Sequence, residues 1–515
     1  MIYWFHFILT TVTLLSGLND NKVHWPRGKG LGGTSLLNFV VHSKGHPKDY
    51  DLWGAMGNDG WSYKDVLPYL KRMENAKVKN QDEEYRGHDG DLHAEDLHFR
   101  HKCAEVFLNA AKDNGHEEID YNGKTPTGIS FTQQTTRNGL RCSGERCLLR
   151  PIKTRKNLTI RLNSHVTKVL IDSSSKKAYG VEFIKDGKKY VALAKKEVIL
   201  SGGTVNSAQI LMLSGVGPRE GLERVGIDVV KELPVGKKVL DHVLFLGLPF
   251  TTEEPLFCYD QSKITDPREY VKLFNGEKSY LHISGVEAQL FYKSNVSNDV
   301  DDYPDIEIGL LSPFIGSDNG VFKTILNLKD DTYQQYLKAS SETVFGLAPV
   351  LLHPESHGRI ELKSSDPFDH PNIYAGYFTD AKDRDMRTMI AGIVETLKIA
   401  DHREFRNHGV KLMDLQLPVC KDHIFGSDAY WRCAVQQLST TTFHPVSSCK
   451  MGPSHDPEAV VDSRLRVYGI QNLRVADAGV IPVTISGHTN LPSYLVGEKG
   501  AEMITEDWSQ RRTEL

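Results

Sequence analysis

Three glycines in HWPRGKGLGGTSLLN, Gly28, Gly30 and Gly33, spell G-x-G-x-x-G, the spacing that lets a backbone turn approach a pyrophosphate at a helix N-terminus. That chemistry needs a buried strand running into the turn and a helix leaving it. Here Trp25-Pro26-Arg27 precedes the first glycine, and Pro26 lacks the N–H that a central parallel strand uses, so the loop is read as serving another purpose. A second group, His88, His93, His98, His101 and Cys103, has the residue types of a metal centre. Its spacings follow no closed tetrahedral pattern and the tract is polar, so it is read as a solvated loop and no metal is assigned. The cysteines at 103, 142, 147, 258, 420, 433 and 449 are too few and too scattered for a disulfide framework or a zinc module. Their odd count leaves at least one unpaired within the chain, and Cys420 with Cys433 is the first pair to test.

These residues sit in a chain of 515, enough for two to four folding units at roughly 100–200 residues each. A net charge of -4, from 62 basic and 66 acidic residues spread evenly, leaves no basic stripe for nucleic acid and no polybasic tail for anionic lipid. The opening run MIYWFHFILTTVTLL is shorter than the roughly 20 residues of a membrane helix, so no membrane span is expected. Residues 1–17 are read as an apolar leader: a signal peptide ending at Ser16-Gly17, or an unrelated start joined to the gene. With the sequons Asn157-Leu-Thr and Asn295-Val-Ser, this places the protein outside the cell.

The elements that must position any site show through their periodicity. GWSYKDVLPYLKRMENA has Ser62 three residues before Asp65, a capping box, and then Val66, Leu67, Leu70 and Met73 on one helix face. Between 158 and 200 short β-branched runs predict strands, with Asp186-Gly187 as a hairpin turn. EVILSGGTVNSAQILMLSGVGP predicts a strand, a turn at Gly202-Gly203 and a helix with Ile210, Leu211 and Leu213 buried. Gly215 closes that helix and Pro218 follows, a unit that implies a parallel sheet with helices on it. From 243 to 415 strand and loop signals mix, and SNDVDDYPDIE reads as solvated loop. A strand at 472–476 and a helix from about 491, with Pro492 in its first turn, end the chain.

The stretches PRGKGLGGTSLLN, SGGTVNSAQILMLSGVGP, STTTFHPVSSCKMGP and NLRVADAGVIPVTISGHTNLPSYLVGEKGAEMI, with VGKKVLDH at 235–242, resemble the glucose-methanol-choline (GMC) family of flavin oxidoreductases. The likeness is strongest to its animal glucose-dehydrogenase-like branch. It implies an α/β (α+β) fold: an FAD-binding domain with a mixed or parallel sheet from 18–242 and 416–515, and an inserted antiparallel-sheet substrate domain at 243–415. It also implies FAD, held without a covalent bond because Leu37 occupies the position where some relatives attach flavin through a His. By the same resemblance Gly30, Gly32, Gly33, Asn38, Phe39, Val40 and Val41 face the flavin, Val166 meets the adenine edge, Asp477 fixes the sugar-phosphate arm and Asn490 donates to flavin. His444 is then the catalytic base and His488 the second catalytic position.

The implied reaction moves a hydride from an alcohol or sugar to flavin N5 while neutral imidazole takes the hydroxyl proton, with an electron acceptor that the sequence does not identify. Three features depart from the family pattern. Ala208 and Lys238-Val239-Leu240 differ from the usual residues, and no strand, glycine turn and helix precede His24 to hold the ADP half of FAD. The FAD domain is therefore expected to be N-terminally incomplete. A non-catalytic, truncated member acting as a binding or interaction protein is the alternative.

Overall fold

The computed structural model describes residues 5–11, 17–339, 343–415 and 417–513. Runs such as GVEAQLFY and IEIGLLS are mostly apolar, and their strands are buried on both faces, Glu287, Gln289 and Glu307 included. Gly285–Tyr292, Ile306–Ser312 and Thr343–Leu351 lie side by side, antiparallel, with Leu290 opposite Ile308 and Ile308 opposite Pro349. Pro249–Thr252 and Lys411–Leu412 extend one edge, and Val243–Phe245 joins Thr343–Leu351 to Ser439–Thr441. Gly128–Phe131 closes the other edge, making eight strands. Two of them, 128–131 and 439–441, come from outside the span 243–415 in which the sheet was expected. One face packs on the helix Arg384–Ala400. Gly392 permits that approach, since a Cβ there would lie 3.1 Å from Ile306 Cδ1 and 3.2 Å from Pro349 Cβ. In SNDVDDYPDIE the last two residues are strand, not loop.

The other half is built from smaller sheets. Val198–Leu200 pairs in parallel with Leu473–Val475, and the chain then turns into the helix Gly203–Leu213. Leu211 is buried as expected, but Ile210 and Leu213 are only half-buried. The helix packs on the 478–480 turn and on His165–Asp172 with Thr204, Val205, Ser207, Ala208 and Met212 also buried, while Ile210 and Leu213 pack against the core from its margin. Gly215, at φ 79°, ends it. Asp186 and Gly187, both at positive φ, join Lys177–Lys185 to Lys188–Leu193 in an antiparallel hairpin. The helix Tyr63–Met73 follows Ser62, whose hydroxyl donates to Asp65 and caps no backbone N–H. Its buried face is Val66, Leu70 and Met73, with Leu67 half-buried. The last helix runs Asn490–Thr513 with Pro492 in its first turn.

Two expectations near the N-terminus are corrected. Residues 5–11, read as part of a leader, form a strand antiparallel to Lys22–Gly28 and parallel to Asn372–Tyr374. Residues 1–4 and 12–16, with Ser16 of the cleavage reading, lie outside the described residues. A strand therefore does run into Gly28. It is an edge strand, where the missing N–H of Pro26 is tolerated. The glycine loop leaves into the four-residue turn Gly33–Leu36, too short to serve as a phosphate-binding helix.

The cysteines are more paired than expected: Cys103–Cys258, Cys142–Cys147 and Cys420–Cys433 are disulfides, and Cys449 is buried and free. The histidine cluster disperses, with Cys103 in a disulfide, His101 bonded to Glu287 and Tyr280, and His88 Nδ1 on the Ala76 carbonyl. No described helix is long and apolar enough to cross a membrane.

Candidate active site

A cavity of about 620 Å³ lies between the inner face of the eight-stranded sheet and the loops of the other half, within the range of about 300–1,000 Å³ usual for small-molecule sites. His444 reaches its wall from the loop after Ser439–Thr441, where Phe443 and Ser447 adopt positive φ. His488 reaches it from the loop ahead of Asn490–Thr513. Their rings meet edge to face with centroids 4.9 Å apart.

The backbone N–H of His444 donates to Asp241 Oδ1 at 3.0 Å. Its Nδ1 lies 3.0 Å from both Thr442 Oγ1 and His242 Nδ1, so Nε2 is the ring nitrogen left for the cavity. Burial, reinforced by neighbouring His488, His242 and Arg27, holds the His444 pKa well below its ordinary value, which keeps the ring a neutral base. Burial takes His242 down to about 3. Glu307 Oε1 accepts from Gln289 Nε2 at 2.6 Å and lies 3.1 Å from His488 Nε2. Burial works to raise the Glu307 pKa, but the charge and hydrogen bond of His488 bring it below the usual value. Beneath the pair, Asp241 accepts from Tyr377 and Thr441, and burial lifts it to about 6. Arg27, lowered by burial to about 10, donates to the carbonyls of Pro26 and Phe443.

Of the residues expected to hold flavin, Gly32, Gly33, Asn38, Phe39, Val40, Val41, Asp477 and Asn490 all line this same cavity. Gly32 and Gly33, at φ 98° and 55°, present bare backbone. Asn38 Oδ1 accepts from Val40 N–H and Arg141. Val40 itself sits at φ 54°, a strained conformation for a β-branched residue, with its carbonyl accepting from Thr135 N–H at 2.6 Å. Asn490 opens a helix whose N-terminus carries partial positive charge. Asp477 accepts from Gly479 N–H, Gly203 N–H and Ser207 Oγ, so it caps two turns while lining the cavity, and burial raises its pKa. Two expected residues fall elsewhere. Gly30 lies in the turn, its carbonyl accepting from Gly33 N–H, and Val166 is half-buried in a strand opposite Phe183.

Sequence reasoning missed Arg27, Asp241, His242 and Glu307. The middle two end the VGKKVLDH motif, which pointed at them without a role; Glu307 alternates with apolar residues in IEIGLLS and gave no signal.

The GMC oxidoreductase family model matches residues 5–244 in its N-terminal part and 354–497 in its C-terminal part. The match from residue 5 gives no support to N-terminal incompleteness. Glucose dehydrogenase (FAD, quinone) of Drosophila pseudoobscura pseudoobscura is 37% identical over 96% of this chain and 76% of its own length. Human mitochondrial choline dehydrogenase is 33% identical over 95% of this chain and 77% of its own. Among solved structures, a formate oxidase variant of Aspergillus oryzae RIB40 superposes with a TM-score of 0.82 at 24% identity, covering 99% of this chain and 89% of that one, a likeness of fold.

Proposed function

Because the chain belongs to the GMC oxidoreductase family, we propose that it is an FAD-dependent oxidoreductase of CH–OH groups, with His444 as its base. The carrying observation is the half-buried, neutral His444 facing His488 on the wall that the flavin-side segments also line. The residues present fit a flavin: bare backbone at Gly32, Gly33 and Gly203, a helix N-terminus at Asn490, and a cavity of the right scale. Asn38, Phe39, Val40 and Val41 would flank its ring, and Asp477 its sugar arm. When bound, FAD supplies the acceptor for the electron pair of the C–H bond.

The chain's own residues do the rest. His444 Nε2 takes the hydroxyl proton, His488 orients the alcohol oxygen, and Glu307 steadies His488. We carry over a quinone-class electron acceptor from the names of the fly relatives. Three disulfides, with sequons at exposed Asn157 and Asn295, support an oxidising, extracellular location.

His444→Ala should slow flavin reduction by alcohol by roughly 10²–10⁴, the usual worth of a general base. A near-parental rate sinks the assignment. The alternative expected from the sequence is a non-catalytic binding protein. Stoichiometric flavin absorbance in the purified chain excludes it, and a colourless protein supports it.

A further inference from the structure

The sheet side of the cavity is apolar, and this decides what it can hold. Alternate residues of the central strand, Glu307, Gly309 and Leu311, point into it, with Val350 beside them. The same cavity is lined by Phe314 and, on the short helix Val321–Leu326, Phe322 and Leu326. Asn327 anchors that helix, its amide donating to the carbonyls of Lys22 at 2.8 Å and Asn19 at 3.0 Å. The polar groups on this side are committed elsewhere: Glu307 to His488 and Gln289, Thr441 to Asp241, Thr442 to His242 and His444. A hydroxyl is served at the two histidines. Over Gly309 there is room, since a Cβ built there meets nothing closer than 3.9 Å.

We infer, resting on the oxidoreductase reading above, that the substrate is an alcohol with one reacting hydroxyl on a hydrocarbon body, in preference to a polyol such as glucose. Each hydroxyl that loses water without gaining a protein partner weakens binding by roughly five- to a hundredfold, and a hexose brings several. The hydrocarbon lies over Gly309 against Leu311, Phe314 and Phe322, and the carbinol carbon faces His444 and His488.

The test uses the FAD-loaded full chain and follows flavin reduction without oxygen by cyclohexylmethanol, octanol and D-glucose. The second-order rate constant for the apolar alcohols should exceed that for glucose by at least about 10²-fold. Gly309→Leu, which fills the space, should lower the constant for octanol about tenfold or more. A constant for glucose equal to or above those of the apolar alcohols overturns this inference and leaves the oxidoreductase reading standing. Bound flavin that no alcohol reduces overturns both. A measurement independent of turnover is the thermal midpoint, which millimolar cyclohexylmethanol should raise in the parent chain and not in Gly309→Leu. An equal rise with glucose counts against the proposal.

Discussion

The contact between His242 and His444 restricts where their protons can sit. Two Nδ1 atoms 3.0 Å apart form a hydrogen bond only if one donates and the other accepts. Thr442 donates its hydroxyl toward the His242 carbonyl at 3.3 Å, so toward His444 Nδ1 it accepts. Both neighbours then draw the His444 proton to Nδ1 and leave the lone pair on Nε2, the tautomer a base requires. Once Nε2 has taken the hydroxyl proton, the imidazolium keeps an acceptor in His242. That residue carries its own proton on Nε2, on the side of the Ile485 backbone. His242→Leu is expected to slow flavin reduction by about 10- to 100-fold, the worth of a hydrogen bond to developing charge, with substrate affinity little changed. Stopped-flow concentration series separate the two quantities, and a loss confined to affinity would make His242 a packing residue. Because burial holds His444 well below its ordinary pKa, the acid limb of the reduction rate should lie under pH 6.5; a limb centred at 6.5 or above would place the ring in water. His444 and His488 were legible because each sits inside a recognisable run of neighbours. His242 was not, because the contact that defines it spans 202 residues of sequence.

The glycine loop shows why spacing alone misleads at the scale of an element. A Cβ on Gly28 would lie 2.2 Å from the carbonyl oxygen of Gly33, so this glycine lets the loop fold back on itself. A Cβ on Gly30 would meet only Leu36 Cδ1, at 3.0 Å, the end of a side chain that can move. Gly28→Ala should therefore cost about 1–3 kcal/mol in denaturant unfolding, while Gly30→Ala stays near the parent. Equal effects would mean that the loop is not packed this way. The same limit explains the rest of the element record. The amphipathic helix Tyr63–Met73 and the Asp186-Gly187 hairpin were readable from local pattern, although Ser62 does not cap the helix backbone. The central strands of the large sheet were not, because polar residues such as Glu287, Gln289 and Glu307 are buried beside apolar ones and mark no solvent face. The helix Gly203–Leu213 was placed correctly, with Leu211 buried as read and Ile210 and Leu213 half-buried against the core.

At the scale of the molecule, segments far apart in sequence are bound into one body. The large sheet takes strands from 128–131, 243–351, 411–412 and 439–441, and the Cys103–Cys258 disulfide ties the loop after Pro249–Thr252 to the helix Lys102–Asp113. Sequence reading drew a boundary at 243 because local pattern changes there, whereas strand pairing crosses it. Buried ionisable groups at this junction make whole-chain stability depend on pH, and two adjacent residues act with opposite sign. His242 stays neutral in the folded chain down to about pH 3 but titrates near 6.5 when unfolded. Between those values the unfolded state holds the extra proton. Its contribution is therefore full above pH 6.5 and falls by about 1.4 kcal/mol for each unit of acidification. Asp241, raised by burial to about 6 from 3.8, holds its proton in the folded state across that interval, so its penalty shrinks as pH drops. His242→Leu should flatten the acid side of the stability curve by about that slope between roughly pH 4 and 6, and Asp241→Asn should steepen it. Denaturant unfolding of both variants and the parent at several pH values measures this. Slopes unchanged from the parent in both would mean that water reaches the floor of the site, and the neutral state of the His242–His444 pair would lose its basis.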